Sequence, residues 1–282
     1  MAHSDVYASL VPSNEKLRPY ISYYYFHESE NPRGKREFIF YPHVKNAITA
    51  YKGSDVSFTE KGSFVIPSEQ DRLQILYTRK QKIPARVNIK GLFQKVGIIF
   101  QALGLNYFIN VPLSEVSTAS VVRFSALGED FERLLDLVFA EPILEKKVDL
   151  LDAFFESRWL GFSEDRLVQA IELLFQEKGK ISLSQLSEKL NASPKTVYRL
   201  FKKHLCCSVQ EYRSLVRFRS ALNVYEAYLK KPKLVKLAYE IDYYDQAEFV
   251  NHFKAITGYN PKKFLSGISQ FGKQDTFWTV LE

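Results

Sequence analysis

The sequence has few cysteines, and the two that it has are not expected to cross-link the fold by a disulfide. Cys206 and Cys207 are the only cysteines among 282 residues, and they are neighbours in the chain. Adjacent cysteines pair poorly with each other, and two thiols alone do not make up a zinc-binding set. Low cysteine usage is typical of the reducing cytoplasm. We therefore expect a cytoplasmic protein with no disulfide and no metal site.

Membrane and secretion signals are also missing. No run approaches the roughly 18 apolar residues that a membrane-spanning helix needs. The first residues, MAHSDVYASLVPSNEK, lack the basic and then apolar pattern of a signal peptide. We expect no membrane partner.

The short motifs of common enzymes do not occur either. The chain has no Gly-x-Gly-x-x-Gly, no Walker Gly-Lys-Ser/Thr, no His-Glu-x-x-His and no Gly-x-Ser-x-Gly. His27 and His43 each lie in strand-like runs rich in Tyr and Phe, where a single histidine is more often packed or on the surface than catalytic. The sequence thus predicts neither an enzyme nor a cofactor.

Positive charge is unevenly distributed along the chain. The net charge is +7, with 39 Lys and Arg against 32 Asp and Glu. Residues 163–282 hold 19 of these basic and 13 of these acidic residues, a net +6, which leaves +1 for residues 1–162. This distribution favours a near-neutral module joined to one that meets phosphates.

The first half of the chain has the pattern of an α+β domain. Six short runs rich in Tyr, Phe, Ile and Val predict an antiparallel sheet or barrel: YISYYYFHE, REFIFYPH, NAITAYKG, SFVIP, LQILYTR and KVGIIFQALG. Two stretches with apolar residues three and four apart predict the helices that follow: EDFERLLDLVFAE and EKKVDLLDAFFESRW. We place the domain boundary in SRWLGFS, giving domains over 1–160 and 161–282, with Ser163 as the next helix cap.

The second half predicts helices only, two of them arranged as a helix-turn-helix. After an amphipathic helix closed by Gly179, Ser182 and Gln185 form a capping box. A second short helix begins at Ser193 as N-cap, with Pro194 at its first position. Two short helices joined by a tight turn are the helix-turn-helix pattern.

This pattern occurs twice. Leu183, Leu186, Ser187 and Leu190 recur, shifted by 51, as Leu234, Leu237, Ala238 and Ile241. Ser193, Val197 and Phe201 recur, shifted by 52, as Asp245, Phe249 and Phe253. A long helix, Val209 to Leu229, is predicted between the copies and would be roughly 31 Å long at 1.5 Å per residue. Successive major-groove faces of DNA lie roughly 34 Å apart, so the two copies could enter adjacent grooves.

Residues 164–266 resemble the AraC/XylS family of bacterial transcription regulators. The family pattern has an aromatic residue before a short turn, then Asp-Gln, an inward Phe, Phe-Lys, Gly and Pro. These fall at Tyr243, Asp245-Gln246, Phe249, Phe253-Lys254, Gly258 and Pro261. The sequence departs from the pattern at three positions, which hold Asp242 and Cys206 in place of Gly, and Ser187 in place of Ala.

The resemblance implies two recognition helices that bind an operator in double-stranded DNA. In the first helix, the residues outside the core edge are Lys195, Thr196, Tyr198, Arg199, Lys202 and Lys203. We expect Arg199 to contact guanine, Lys195 and Tyr198 to face bases, and the last two lysines to contact phosphate. An ordinary basic, solvated helix face is the alternative.

In the second recognition helix the implied base-facing residues are Gln246, Ala247, Glu248 and Asn251, with His252 and Lys254 beside them. Ala247 can touch a thymine methyl group, and Asn251 or Gln246 can pair with adenine. Glu248 either accepts from cytosine or completes a capping box with Asp245. We expect His252 at the surface near phosphate, and Lys254, Lys262 and Lys263 as phosphate contacts.

The role of residues 1–160 stays open at this point. They resemble, more weakly, an uncharacterised domain often found ahead of such DNA-binding modules, mainly through VGIIFQALGLNYFINVPLSEV. One interpretation is a sensor that encloses a small-molecule effector. The other is a domain that only forms a homodimer or contacts a partner protein. RNA polymerase is a further expected partner.

Overall fold

The computed structural model describes residues 5–59, 62–79, 83–117, 119–228, 234–241, 243–267, 269–270 and 277–281. Its first part is rich in strands, which are β1 (Asp5–Leu10), β2 (Ile21–Ser29), β3 (Lys35–Phe40), β4 (Asn46–Lys52), β5 (Ser54–Thr59), β6 (Gly62–Pro67), β7 (Leu73–Thr78), β8 (Ala85–Lys90), β9 (Phe93–Phe100) and β10 (Val121–Arg123). All six predicted strand runs are confirmed. The strands β1, β5, β8 and β10 were not predicted.

These strands form two sheets. The first has the order β1-β2-β9-β4-β7-β10 and is antiparallel throughout. The second contains β3-β8-β6-β5, in which β6 and β8 pair in parallel. The expected antiparallel arrangement therefore holds except at this one pairing.

The first sheet is covered on both faces, so its strands need large apolar side chains on both sides. Strand β2 illustrates this. Alternate side chains of a strand point to opposite faces. Tyr24 and Phe26 pack in the core shared with the helices, whereas Tyr23, Tyr25 and His27 line a cavity between the two sheets. A strand buried on both faces needs bulky residues at every position, as YYYF supplies.

Helices follow the sheets and close the first core. They are α1 (Leu113–Val116), α2 (Glu129–Ala140) and α3 (Leu144–Ser157), with 3-10 turns at Glu15–Leu17 and Gly104–Tyr107. Apolar side chains of α2 and α3 pack on the sheet, among them Phe131, Leu135 and Phe155. Within this core the Tyr24 hydroxyl donates to Asp152 at 2.8 Å, tying sheet to helix. The predicted α+β class is confirmed.

The remaining helices are α4 (Asp165–Gln176), α5 (Leu183–Lys189), α6 (Pro194–Leu205), α7 (Val209–Ala227), α8 (Leu234–Glu240), α9 (Gln246–Thr257) and α10 (Pro261–Gly267). The capping boxes at Ser182 and Ser208 are both formed. The cap predicted at Ser163 is wrong, because α4 starts after Glu164 and has no side-chain cap. The Asp242 position lies outside the described residues. In the parts of the chain with described structure, no helix has the length and apolar character to span a membrane.

Two strands follow the last helix, although the sequence predicted none after Ser163. They are β11 (Ser269–Gln270) and β12 (Phe277–Leu281). The β12 backbone pairs with β3 in the second sheet, from Trp278 opposite Phe40 to Leu281 opposite Glu37. Strand pairing over so long a separation has no local sequence signal, which is why the pattern missed it.

Helix α7 is anchored to the strand-rich part through Arg219. This side chain is only 5% exposed. Its Nε and Nη2 donate to the Pro42 carbonyl at 3.0 and 2.7 Å, and Nη2 also donates to the Tyr41 carbonyl at 3.1 Å. A second link lies near α6, where the Asn106 amide donates to the His204 carbonyl at 3.3 Å. Buried polar links of this kind fix the orientation of the helices on the sheets.

We expect Arg219→Met to lower the free energy of unfolding by about 2–4 kcal/mol, because it leaves buried carbonyl groups without donors. Urea unfolding followed by circular dichroism measures this change. Arg199→Met, on an exposed helix face, serves as the control and should stay within about 0.5 kcal/mol of the original chain. Equal stabilities for the two variants would contradict the anchoring role.

Candidate nucleic-acid interface

Local capping interactions set the position of helix α6. The Ser193 hydroxyl accepts from the Thr196 backbone N–H at 3.2 Å, and Pro194 occupies the first turn. The helix ends at Cys206, whose φ of 54° lies in the left-handed region. Glycine is the residue that favours this conformation, so the cysteine carries a modest backbone strain.

One face of α6 packs into the protein and the opposite face is open to solvent. Val197, Leu200, Phe201 and Leu205 are buried in a core shared with α4, α5 and α7. Lys195, Tyr198, Arg199 and Lys203 are exposed, and Thr196 and Lys202 are half-buried. Of the six residues predicted to contact DNA, five have side chains that take no part in the Ser193 cap. Thr196 is the exception, since its hydroxyl lies 3.0 Å from that of Ser193.

Helix α9 repeats this arrangement with a less basic outer face. Asp245 caps it by accepting from the Glu248 N–H at 2.7 Å, and Gly258 ends it with φ of 75°. Phe249, Phe253 and Ile256 are buried. The exposed residues among those predicted to face DNA are Gln246, Ala247, Asn251 and Lys254.

Glu248 is directed towards its own domain. Its carboxylate accepts from the Tyr244 N–H at 2.8 Å and from Arg217 Nη1 at 2.8 Å. Burial raises the pKa of Glu248, but these two donors outweigh it and hold the pKa below its ordinary value. The predicted capping box with Asp245 is therefore only half formed, because the carboxylate caps the N–H of Tyr244 instead.

His252, which the sequence placed at the surface near phosphate, is half-buried and both of its ring nitrogens contact neighbouring side chains. Its Nδ1 lies 2.6 Å from the Tyr243 hydroxyl and its Nε2 lies 2.7 Å from the Ser214 hydroxyl. Burial, helped by the charge of Arg217, lowers the His252 pKa to about 4. A neutral ring with both nitrogens engaged links α9 to α7 through the Ser214 hydroxyl.

The sequence pattern missed the side chains of α7 that hold α9 in place. The Arg217 guanidinium lies 4.0 Å from the centre of the Tyr243 ring, besides pairing with Glu248. Cation–π pairs of this kind recur in protein structures. Residue spacing in the sequence did not predict this one, because its two partners come from different parts of the chain. Tyr244, 94% exposed at the start of α9, is a further residue that was not predicted and lies beside the outer face.

The separation of the two helices follows from α7. This helix has 19 residues, Val209 to Ala227, and is therefore about 28 Å long. The sequence had extended it to Leu229, which lies outside the described residues. Its length is close to the roughly 34 Å repeat of the major groove.

Two helix-turn-helix units on one long helix define the class of this region. Residues 186–267 match the protein family described as a helix-turn-helix domain. The chain therefore carries an AraC-type helix-turn-helix domain, as the sequence resemblance predicted.

Comparison with solved structures finds ToxT from Vibrio cholerae. One ToxT structure shares 11% identity, covers 94% of this chain and 98% of its own, and gives a TM-score of 0.42. ToxT bound to an unsaturated fatty acid shares 9% identity, covers 97% and 100%, and gives a TM-score of 0.46. No curated protein sequence matches the chain.

We expect protonation of His252 to destabilise the fold. Its pKa in the folded chain, about 4, lies below the ordinary value of 6.5, so its contribution is present above pH 6.5 and is lost as the pH falls towards 4. Between pH 7 and pH 5 this loss is about 2 kcal/mol. Urea unfolding at both pH values measures it, and His252→Gln should remove that part of the pH dependence. An unchanged pH dependence in this variant would place the effect on other groups.

Proposed function

We propose that the chain is a sequence-specific, DNA-binding transcription regulator of the AraC type, whose helices α6 and α9 enter successive major grooves of an operator. The observation that carries this proposal is the outer face of α6, where Lys195, Arg199 and Lys203 are exposed on a helix that follows a tight turn. Basic residues in this arrangement supply both base contacts and phosphate contacts.

The roles within α6 follow from side-chain chemistry. Arg199 is exposed and forms a bidentate pair with guanine in the major groove. Lys195 and Tyr198 face neighbouring bases. Thr196 lies close to the DNA backbone, because it belongs to the cap at the start of the helix. Lys202 and Lys203 neutralise phosphates, which gives affinity without sequence information.

Helix α9 has a different share of the recognition. Gln246 and Asn251 pair with adenine, Ala247 contacts a thymine methyl group, and Lys254 meets a phosphate. Glu248 and His252 contribute indirectly, because their contacts with α7 fix the angle at which α9 meets the groove. Among the residues assigned to DNA contact, α9 has one basic side chain, whereas α6 has several. Helix α6 therefore supplies most of the affinity and α9 adjusts the specificity.

The domains at 1–160 and 161–282 divide sensing from DNA binding. The cavity between the two sheets, lined mainly by aromatic and aliphatic residues and also by Lys95, supports a small-molecule sensor over a domain that only dimerises. RNA polymerase and a second copy of the chain are proposed partners, in the cytoplasm. A thermal-shift screen of metabolites tests the sensor, because a ligand of the folded state raises the melting temperature.

We expect Arg199→Ala to weaken binding to the selected operator by about 1–3 kcal/mol and to relax the preference at one base pair. The operator is obtained by selection from random DNA fragments, and fluorescence anisotropy measures affinity for it and for single-base variants. Arg133→Ala, on the exposed face of α2, is the matched control and should bind normally.

Lys202→Ala should weaken binding to all sequences alike and reduce the slope of log affinity against log salt by about one. Anisotropy titrations at several salt concentrations measure the slope. If neither Arg199→Ala nor Lys202→Ala changes binding, α6 is not the reading helix. If the selection yields no preferred sequence, the regulator proposal itself fails.

A further inference from the structure

The second helix-turn-helix unit presents two tyrosines to solvent. Tyr244, in the turn before α9, is 94% exposed, and Tyr239, on α8, is 79% exposed. Tyrosine combines a large apolar ring with a polar hydroxyl and is commonly found where a protein meets a partner. Two such side chains, both almost fully exposed in one small unit, therefore indicate a surface that binds something.

The two helix-turn-helix units can be compared position by position, because one repeats the other. At the shift of 52, Tyr244 corresponds to Ala192, which packs on the core of the first unit. At the shift of 51, Tyr239 corresponds to Glu188, an exposed charged residue. These two tyrosines are therefore features of the second unit and not requirements of the motif.

The same comparison shows what the second unit has less of. Helix α6 has four Lys and Arg residues, and only one of them has a basic counterpart in α9. The pairs, at the shift of 52, are Lys195 and Ala247, Arg199 and Asn251, Lys202 and Lys254, and Lys203 and Ala255. The second unit thus offers fewer cations to phosphates. Hydroxyl groups can take their place, since tyrosine is among the side chains that bind phosphate oxygens in protein–DNA complexes.

The backbone of the turn is held on both sides of the Tyr244 side chain. The Tyr244 N–H donates to the Glu248 carboxylate at 2.8 Å, and that carboxylate also pairs with Arg217 of α7 at 2.8 Å. Asp245, the next residue, caps α9. Binding through the Tyr244 hydroxyl therefore requires the ordering of one side chain and not of a loop, which keeps its entropic cost low.

The position of Tyr244 favours the DNA backbone over the bases. It lies two residues before Gln246, the first residue of α9, so their Cα atoms are at most about 7.6 Å apart. A major groove roughly 12 Å wide is nearly filled by a helix roughly 10–12 Å in diameter. A side chain beside the start of that helix thus meets the phosphates at the edge of the groove. The first helix of the motif crosses the DNA backbone, which brings Tyr239 of α8 near phosphates as well.

We propose that Tyr244 and Tyr239 bind phosphates beside the groove entered by α9, through their hydroxyl groups. The second unit then holds the DNA backbone with uncharged donors where the first unit uses cations. This inference rests on the proposed DNA-binding function and adds two positioning contacts to it. A hydroxyl neutralises no phosphate and releases no counterion, so the affinity that it contributes varies little with salt.

Fluorescence anisotropy with the selected operator tests the proposal in two variants that lose only a hydroxyl, Tyr244→Phe and Tyr239→Phe. We expect each to weaken binding about three- to tenfold, as the loss of one hydrogen bond does, and to do so for every sequence alike. The slope of log affinity against log salt should stay as in the original chain, whereas Lys202→Ala lowers it by about one. Tyr107→Phe, in the 3-10 turn of the strand-rich part, is the matched control and should bind normally.

Every other result overturns a defined part of the proposal. Normal binding by both phenylalanine variants would show that the tyrosines serve another partner, such as a protein. Weaker binding by Tyr244→Ala but not by Tyr244→Phe would assign the contact to the ring and not to the hydroxyl. A changed preference at one base pair would make the tyrosine a base-reading residue. If only one phenylalanine variant is weakened, the contact assigned to the other tyrosine is refuted.

Arg199→Ala, measured in the same titrations, separates this proposal from the proposed function. Weaker binding by Arg199→Ala with normal binding by both phenylalanine variants refutes the tyrosine contacts alone. Weaker binding by the phenylalanine variants without any preferred sequence refutes the sequence-specific regulator and leaves the contacts standing. If the original chain binds no DNA, both fail. Thermal melting checks that the variants fold, which their exposed positions favour.

Discussion

Helix α7 has to satisfy three packing environments at once, and the arrangement of the protein depends on it. Its first half contributes Tyr212, Leu215 and Val216 to the core of the first helix-turn-helix. Its second half contributes Phe218 and Leu222 to the core of the second. Between them, the buried Arg219 reaches the carbonyls that follow β3. A helix surrounded in this way cannot keep one polar stripe, so its hydrophobic residues lie on several faces.

Much of the fold was predictable because it is encoded locally. Capping boxes at Ser182 and Ser208 depend on residues three apart, and both form as the sequence indicated. The strands that were missed lack this kind of local signal. β8, with ARVNIK, and β5, with SDVSFT, carry charged or small residues, and β12 depends on a partner more than two hundred residues away. Tertiary pairing decides their structure.

The candidate interface shows the same division. Exposure of Lys195, Arg199 and Asn251 follows from helical periodicity, so the sequence placed them on outer faces. The positions of Glu248 and His252 do not follow from it, because each is held by a residue of α7. Polar residues at the edge between a buried and an open face take whichever partner the neighbouring helix offers. Periodicity identifies that edge but not the partner.

Strand β12 changes how the helices can move relative to the sheets. The chain leaves the strand-rich part after α3 and returns to it at the β12–β3 pairing, so both ends of the helical region join the strand-rich part through the backbone. The helical region is therefore a loop of chain held at both of its ends, and it does not hang from the strand-rich part by one end only. The strand β3 that receives β12 is also a wall of the cavity, because Phe38 and Phe40 line it. One strand therefore serves both as the edge at which the last described strand is added and as part of the cavity wall.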